Sequence, residues 1–444
     1  MNSRLKRLLR GGAALAVAGV AVAASLTGCS SSGGGSSSNA TVTVWSWRSQ
    51  DKPLWDTVAK DTGVKINFRS VTATSYDSVL QTAMNGGSGP DIFYDRAGSG
   101  TMTYGAAGLA APLDNIVSFD GINKTSLDAA QYEGKTYGVP FAIQTMELFY
   151  NKDLLKQNGL TPPTTWDDLI SDMKTLKGKG ITPMEVMGTQ QWMLALQLYS
   201  IEASAAPNSW NQDLVAKKAA LTDKPFVDSL TAFQQLEPYF EKNWQAVGSA
   251  GNEQQTQFAL GKAGFIIDGI FNTATIDKVG PNLNYGQELV PSPNGNKPQI
   301  EWYVDGNISM NAKIKDSAEK KAAEKVIAYT ATKKFGDAFS QIAGEISPIS
   351  GVKIPAKYEL STQAYNWFQS VPVSPVIGIR SPLDTPPVDP SSLKKKSSSK
   401  TAVDTDQGIF TANQTDIDNL LAGKITPEKE AAKLQSDLKW YFGK

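Results

Sequence analysis

The sequence predicts an α/β protein whose folded part divides into two lobes, and three observations lead to this fold class. Stretches of alternating polar and apolar residues are followed by stretches with helical periodicity from residue 41 onward. Strands and helices in that order are typical of a mainly parallel sheet covered by helices. The chain has 444 residues, of which 41% are hydrophobic and 19% charged. That composition is typical of a globular protein. The length exceeds the roughly 250 to 300 residues at which a single hydrophobic core stops growing, which favours two lobes.

The first elements follow from local patterns. We predict strands at 41–45, 64–71 and 91–94 and helices at 53–61 and 75–84. Sheets of this kind bind ligands at the carboxyl ends of their strands. The side chains after the first and third strands are therefore the first candidates for ligand contact: Trp47, Arg48, Tyr94, Asp95 and Arg96.

Capping residues indicate where some of the later helices begin. Thr165 can cap a helix over 166–177, because a threonine oxygen can accept the free N–H groups of the first turn. Residues 317–343 form one long helical region, and Thr426 followed by Pro427 starts the last helix. Residues 386–400 are of low complexity, and we expect a solvated loop there.

The composition excludes several classes of function. The chain contains no histidine and one cysteine, so it has no internal disulfide, Ser-His-Asp triad or histidine-ligated haem or metal. We expect no metal and no cofactor, although catalysis by paired carboxylates stays open. With 43 basic and 43 acidic residues and no basic stripe, nucleic acid is not expected as a partner.

The N-terminus predicts export and lipid attachment. Residues 1–10 carry basic side chains and no acidic ones, and 11–26 are apolar but shorter than a membrane span, which is the layout of a signal peptide over 1–28. The alternative is an N-terminal anchoring helix. Residues 26–29 (LTGC) resemble the lipobox of bacterial lipoproteins. The resemblance implies a diacylglyceryl group on Cys29, a Ser/Gly tether over 29–40, and a place at the extracellular face of the cell membrane.

From residue 86 onward, the order of local motifs resembles the extracellular solute-binding family that serves sugar ABC importers, the family of the maltose-binding protein. The segments that carry the resemblance are 86–93 (GGSGPDIF), 108–114 (GLAAPLD), 134–140 (GKTYGVP), 148–154 (LFYNKDL), 163–169 (PTTWDDL), 258–269 (FALGKAGFIIDG) and 421–428 (LAGKITPE).

The resemblance implies a two-lobed periplasmic-binding-protein fold with hinge crossovers and an interlobe cleft. It divides the mature chain into an N-terminal lobe of 41–143 and 305–344 and a C-terminal lobe of 144–304 and 345–444. The implied function is to capture a mono- or oligosaccharide and deliver it to ABC permease subunits. We expect a monomer and no catalysis.

The resemblance also implies ligand contacts. A sugar needs planar hydrogen-bonding groups and flat aromatic surfaces. Besides the five residues after the strands, it points to Gln144, Glu147, Gln191, Trp192, Asp268, Phe271, Trp302 and Asp305. Phe271 stands where the maltose-binding protein has tryptophan. Core packing is the alternative role for Trp302, and backbone hydrogen bonding is the alternative for Gln144.

Other functions stay open on the sequence alone. A glycoside hydrolase would use two carboxylates about 5 to 9.5 Å apart, and sequence cannot measure that distance. A non-sugar solute such as glycerol phosphate is allowed by Arg48 and Arg96. A surface receptor without transport would differ only in its partner. The balanced net charge slightly favours a neutral oligosaccharide.

Overall fold

The structure is a computed structural model that describes residues 40–249, 251–370, 377–388 and 407–443. These residues belong to one compact unit, 38–444. The predicted signal peptide, Cys29, the tether up to residue 39 and the loop after residue 388 lie outside the described residues.

The strands are, in chain order, β1 (Thr41–Ser46), β2 (Lys65–Ser70), β3 (Ile92–Arg96), β4 (Gln131–Tyr132), β5 (Lys135–Thr136), β6 (Gly138–Pro140), β7 (Ile143–Asn151), β8 (Thr182–Met184), β9 (Ala263–Gly269), β10 (Tyr285–Glu288), β11 (Glu301–Val304) and β12 (Gly306–Met310).

The α-helices are α1 (Lys52–Thr62), α2 (Ala73–Asn85), α3 (Ser99–Ala106), α4 (Lys124–Asp128), α5 (Lys152–Gln157), α6 (Trp166–Gly178), α7 (Gln191–Ala205), α8 (Asn208–Val215), α9 (Lys224–Leu236), α10 (Glu253–Ala259), α11 (Thr273–Val279), α12 (Ser317–Thr330), α13 (Lys333–Ala343), α14 (Glu359–Ser370), α15 (Ile409–Asn413), α16 (Ile417–Leu421), α17 (Pro427–Asp437) and α18 (Lys439–Phe442). Single 3-10 turns lie at Ser49–Asp51, Glu237–Tyr239, Trp244–Ala246, Ile270–Asn272 and Pro382–Asp384.

The first sheet has the strand order β2-β1-β3-β12-β6. Its strands β1, β2 and β3 run parallel, as the sequence predicts, and β1 pairs with β2 along its whole length. Strand β12 is antiparallel to both β3 and β6. The sheet is therefore mixed, because β12 enters it from the opposite end after the chain has passed through the second sheet.

The second sheet is built around β7, whose nine residues are all buried. Strands β9, β10 and β11 all pair with β7 in antiparallel orientation, and β8 lies parallel to β9 at the edge. A strand buried on both faces is usually apolar throughout, whereas β7 also buries the polar side chains of Gln144, Thr145, Glu147 and Asn151.

Each sheet has its own hydrophobic core, and we call a sheet with its core a lobe. In the first lobe Trp55, Tyr76 and Phe335 pack against the sheet and are at most 1% exposed. In the second lobe Leu169 and Phe233 do the same. Burial of one such side chain contributes about 1.5 to 3 kcal/mol, so each lobe can hold its sheet and helices together.

The helix-end signals act as predicted at α6 and α17. Thr165 Oγ1 accepts from the Asp168 N–H at 3.1 Å, and the Asp168 carboxylate accepts from the Thr165 N–H. Thr426 caps α17 by accepting from the Lys429 N–H. The helical region predicted over 317–343 consists of two helices, α12 and α13, because Thr332 caps the second one and its backbone is extended.

No helix within the described residues combines the length and the apolar character that crossing a membrane requires.

Candidate functional site

The chain passes between the two sheets three times, and the three passages are hydrogen-bonded to one another. The Ile143 N–H donates to the Ile346 carbonyl at 2.9 Å, and the Asp305 N–H donates to the Ala142 carbonyl at 3.0 Å. Val304 pairs with Ile143 in the β11–β7 ladder. We call residues 142–146, 302–306 and 345–347 the crossover ribbon. It forms the only hinge-like connection we find within the described part of the chain.

Arg48, directly after β1, connects the first lobe to this ribbon. Its Nε lies 3.0 Å from Asp51 Oδ2, its Nη2 lies 2.6 Å from Glu345 Oε1, and its Nη1 lies 3.5 Å from Asp305 Oδ2. The arginine side chain is 4% exposed. Burial acts to lower the pKa of Arg48, but the three carboxylates more than offset it and the pKa is raised well above its usual value.

Neighbouring side chains complete this Arg48 cluster. Gln144 Nε2 donates to the second oxygen of Glu345 at 2.6 Å. The Tyr94 hydroxyl donates to Asp51 at 2.9 Å and accepts from Trp55 Nε1 at 3.1 Å. Because Gln144, Asp305 and Glu345 stand on three different passages, the cluster holds all three at one point.

An aromatic group lies beside the Arg48 cluster in the first lobe. Trp47 is half-buried and meets Tyr76 and Tyr94 edge-on, with ring centroids 5.3 and 5.6 Å away. The Arg96 guanidinium carbon lies 3.9 Å from the Trp47 ring centroid. Tyr94 is fully buried, and β3 extends through Arg96, so Tyr94, Asp95 and Arg96 lie in the strand rather than after it.

Asp95 lies at the inner end of a cavity. Its carboxylate accepts from the Thr101 hydroxyl at 2.7 Å and from the Ser309 hydroxyl at 2.8 Å. Burial raises the pKa of Asp95 to about 7. The cavity has a volume of about 330 Å³ and is lined by residues of α2, the end of β3 and the start of α3. Arg96 lines the same cavity.

In the second lobe, Glu147 and Asp268 face each other across the β7–β9 pairing. Asp268 accepts from four donors, namely the side-chain amides of Gln254, Gln255 and Asn272 and the Gly269 N–H. Among the described residues, neither carboxylate oxygen of Glu147 has a hydrogen-bond partner. Burial, with a further contribution from Asp268, raises the pKa of Glu147 to about 8.

The other predicted residues lie apart from the Arg48 cluster. Trp192 is half-buried at the start of α7, and its Nε1 donates to Gln190 at 2.9 Å. Gln191 is half-buried beside it. The Phe271 ring covers Gly269 so closely that a Cβ there would overlap it. Trp302 is 6% exposed and packs on Phe368, with ring centroids 4.9 Å apart, as in the core alternative.

The structure thus joins Arg48 to Asp305 directly and to Gln144 through Glu345, and it places Trp47 and the β3 residues beside them. Ligand contact by any of these residues stays a prediction.

Sequence reasoning missed Asp51 as an Arg48 partner and Arg380, which lies near Asp305 and Arg96. An arginine in an irregular segment gives no periodic signal, so pattern analysis could not have found it. In the described part of the chain, no group of three or more acidic or thiol side chains is placed to hold a metal ion.

Comparisons with known proteins agree with this geometry. A family model described as bacterial extracellular solute-binding protein matches residues 48–336. A Brucella abortus (strain 2308) protein named as a binding protein is 26% identical over 324 residues, which cover 68% of this chain and 74% of the relative. The multiple sugar-binding protein of Streptococcus mutans is 24% identical over 298 residues, 65% of this chain and 70% of the relative.

A solved structure gives the same architecture. The chitin oligosaccharide binding protein matches with a TM-score of 0.71 at 22% identity, covering 91% of this chain and 100% of the other. At that identity the likeness shows the fold. The chain therefore has the two-lobed α/β fold that the sequence predicts, with its crossovers at the Arg48 cluster.

We predict that Arg48→Met destabilises the protein by about 3 to 5 kcal/mol, because it leaves buried carboxylates without their counter-charge. The free energy of unfolding in urea, followed by circular dichroism, measures the effect. Lys52→Met is the control, because the Lys52–Asp56 pair is 62% and 65% exposed and such pairs contribute about 0 to 1 kcal/mol. Equal losses in the two variants would contradict a structural role for the Arg48 cluster.

We also predict that Glu147 makes the protein less stable as the pH rises. Its pKa is about 8 in the folded protein, against an ordinary 4.5. The folded state therefore holds a proton that the unfolded state has released. This contribution is complete below about pH 4.5 and is lost as the pH rises through about 8, on the order of 1.4 kcal/mol per unit of pKa shift.

Urea unfolding midpoints between pH 5 and 8.5 measure this dependence. Glu147→Gln should flatten it, whereas Glu133→Gln, at an exposed turn, should leave it unchanged. Some dependence should persist in the first variant, because burial also raises the pKa of Glu202 to about 8. A Glu147→Gln profile parallel to that of the unmodified protein would refute the prediction.

Proposed function

This chain belongs to the bacterial extracellular solute-binding proteins, and on that premise we propose that it captures a mono- or oligosaccharide between its lobes. In this proposal it delivers the sugar to the membrane permease of an ABC importer. The observation that carries the proposal is the crossover ribbon, where the side chains of both lobes converge on the Arg48 cluster. The name of the Streptococcus mutans relative supports a sugar as the solute.

The lobes divide, in this proposal, into 41–143 with 305–344 and 144–304 with 345–444. The change of sheet after β6 and after β11 supports the first two boundaries. After Glu345 the chain still contacts the first lobe, because Ile349 bridges to Ile122 and belongs to the first-lobe core. Closure is a rotation at the crossover ribbon, since a few residues at the ends of elements can absorb such a motion. The ligand then lies between Trp47 with the β3 residues on one side and second-lobe side chains on the other.

The protein acts by binding alone, and a separate subunit uses the ATP. It is a monomer that presents the closed, loaded state to the permease. A glycoside hydrolase would need two carboxyl groups free to face a substrate. Asp95 and Asp268 are instead engaged by hydrogen-bond donors of the protein itself, which supports a binding role.

A lipid on Cys29 keeps the protein at the extracellular face of the cell membrane in this proposal. The support is the sequence over residues 1–40, in which a signal-like segment, a lipobox-like tetrapeptide and a Ser/Gly stretch follow one another. A flexible stretch of about ten such residues reaches roughly 15 to 20 Å, which leaves the folded part free to meet the permease.

We predict that tryptophan fluorescence of the purified protein changes on titration with at least one member of a panel of α- and β-linked oligosaccharides. Trp47→Leu should weaken that binding by about tenfold, since one aromatic contact contributes about 0.5 to 1.5 kcal/mol. Trp440→Leu, in the last helix, is the matched control and should bind as the unmodified protein does.

Release of shorter saccharides during the titration, detected by chromatography, would replace the binding proposal with an enzymatic one. A folded protein that binds no saccharide on the panel but does bind glycerol phosphate would point to the non-sugar alternative.

We predict that Cys29→Ser moves the protein from the membrane fraction of cells to the soluble exported fraction, because the hydroxyl cannot replace the thiol in lipid attachment. Immunoblotting of cell fractions measures the change, with Ser30→Ala as the control. Retention of Cys29→Ser in the membrane fraction would favour the alternative of an anchoring N-terminal helix.

A further inference from the structure

Arg380 belongs to the second lobe but its side chain points toward the first. Its segment, 377–388, is fixed by Ile377 and Leu383, which are fully buried in the second-lobe core. The Arg380 N–H donates to Asp384 at 2.7 Å, and the residue has a φ of 62°. A left-handed backbone costs a non-glycine residue free energy, so this turn directs the side chain at some cost to stability.

The side chain lies in the space between the lobes. The guanidinium carbon is 5.5 Å from the ring centroid of Tyr303, in the crossover ribbon. A Cβ built on Gly98, which follows β3, would lie 3.7 Å from the Cβ of Arg380. The stem therefore rests against the first-lobe loop that follows Asp95 and Arg96, the residues at the cavity described above.

The described residues do not supply hydrogen-bond acceptors for all the N–H donors of the Arg380 guanidinium. Among the described residues, neither Nε nor Nη1 of Arg380 has a hydrogen-bond partner, and both atoms are shielded from solvent. The nearby carboxylates are already engaged: Asp305 pairs with Arg48, and Asp384 accepts from the backbone N–H groups of Arg380 and Phe410. The neighbouring cation, Arg96, pairs with Asp77 at 3.4 Å. A buried cation without a partner is costly, and native proteins pair such groups.

We propose that Arg380 binds a carboxylate of the ligand, and hence that the captured sugar contains a uronic acid. This inference rests on the proposed function and narrows its solute class, in place of the neutral oligosaccharide that the net charge favours. The planar guanidinium can donate two parallel hydrogen bonds to a carboxylate, either from Nε and Nη2 or from Nη1 and Nη2. Each arrangement uses one of the two unpartnered atoms, Nε or Nη1.

The local charges favour a single negative charge over a phosphate. Asp305 and Asp384 act electrostatically on Arg380, but among the described residues neither forms an ion pair with it. Arg48 and Arg96, in contrast, are both paired. A phosphate brings up to two negative charges close to Asp305, which already acts electrostatically on Arg380. One unpaired cation matches one carboxylate. Tyr303 also lies beside Arg380. The guanidinium carbon of Arg380 lies over the face of the Tyr303 ring, which leaves the N–H donors at the edge of the guanidinium free.

The test compares saccharides that differ in one group. Isothermal titration calorimetry is run with digalacturonic acid and galactobiose, with xylotriose and its glucuronic acid-substituted form, and with galactose 6-phosphate. We expect an acidic member to bind about ten- to a hundredfold more tightly than its neutral counterpart, the range for a charge-assisted hydrogen bond. Arg380→Gln should remove most of that preference, and Arg380→Lys should keep part of it.

Arg69→Gln is the matched control, because Arg69 also stacks on an aromatic ring but is exposed on β2. The preference of the unmodified protein is itself a test, so a misfolded Arg380 variant, detected by circular dichroism, does not leave the proposal undecided. Equal or tighter binding of the neutral member, or of the phosphate, overturns the proposal and leaves sugar binding intact. A folded protein that binds none of these saccharides, nor any of the wider panel, overturns the proposed function as well.

Discussion

The pairing of Arg48 with carboxylates of the crossover ribbon is the interaction on which the rest of the structure depends. Arg48 belongs to the first lobe by its place after β1, and its partners Asp305 and Glu345 belong to passages that lead into and out of the second lobe. Ion pairs in this environment are strong only when every charge has its partner. The cluster therefore fixes where the three passages meet, and with them the origin of any rotation between the lobes.

The predicted ligand residues have different surroundings, and this separates their roles. Arg48 bonds to Asp305 and Glu345, and Gln144 donates to Glu345. The protein itself therefore already uses these donors of Arg48 and Gln144. Trp47 and Arg96 are less buried and lie at the aromatic edge of the first lobe. Arg380 differs from the arginines Arg48 and Arg96, since its Nε and Nη1 are shielded from water but meet no acceptor among the described residues.

Local structure was predictable from the sequence, and long-range pairing was not. Strands β1 to β3 and helix α6 lie within a few residues of their predicted bounds, because their signals come from alternation and from the Thr165 cap. The helical region over 317–343 was predictable from its composition, but its division into α12 and α13 at Thr332 was not part of the prediction. Arg48 pairs with residues 257 and 297 positions away, and no local pattern encodes such a contact.

Strand β7 belongs both to the crossover ribbon and to the interior of the second lobe. Its first residues pair with β11 in the crossover ribbon, and its last residues pair with β10 deep in the second lobe. One continuous strand spans both places, so a change of twist near Ile143 would be passed along β7 to the strands that pair with it. Loading at the interlobe surface would thus become visible on the far side of the molecule, where a transporter could sense it without touching the cargo.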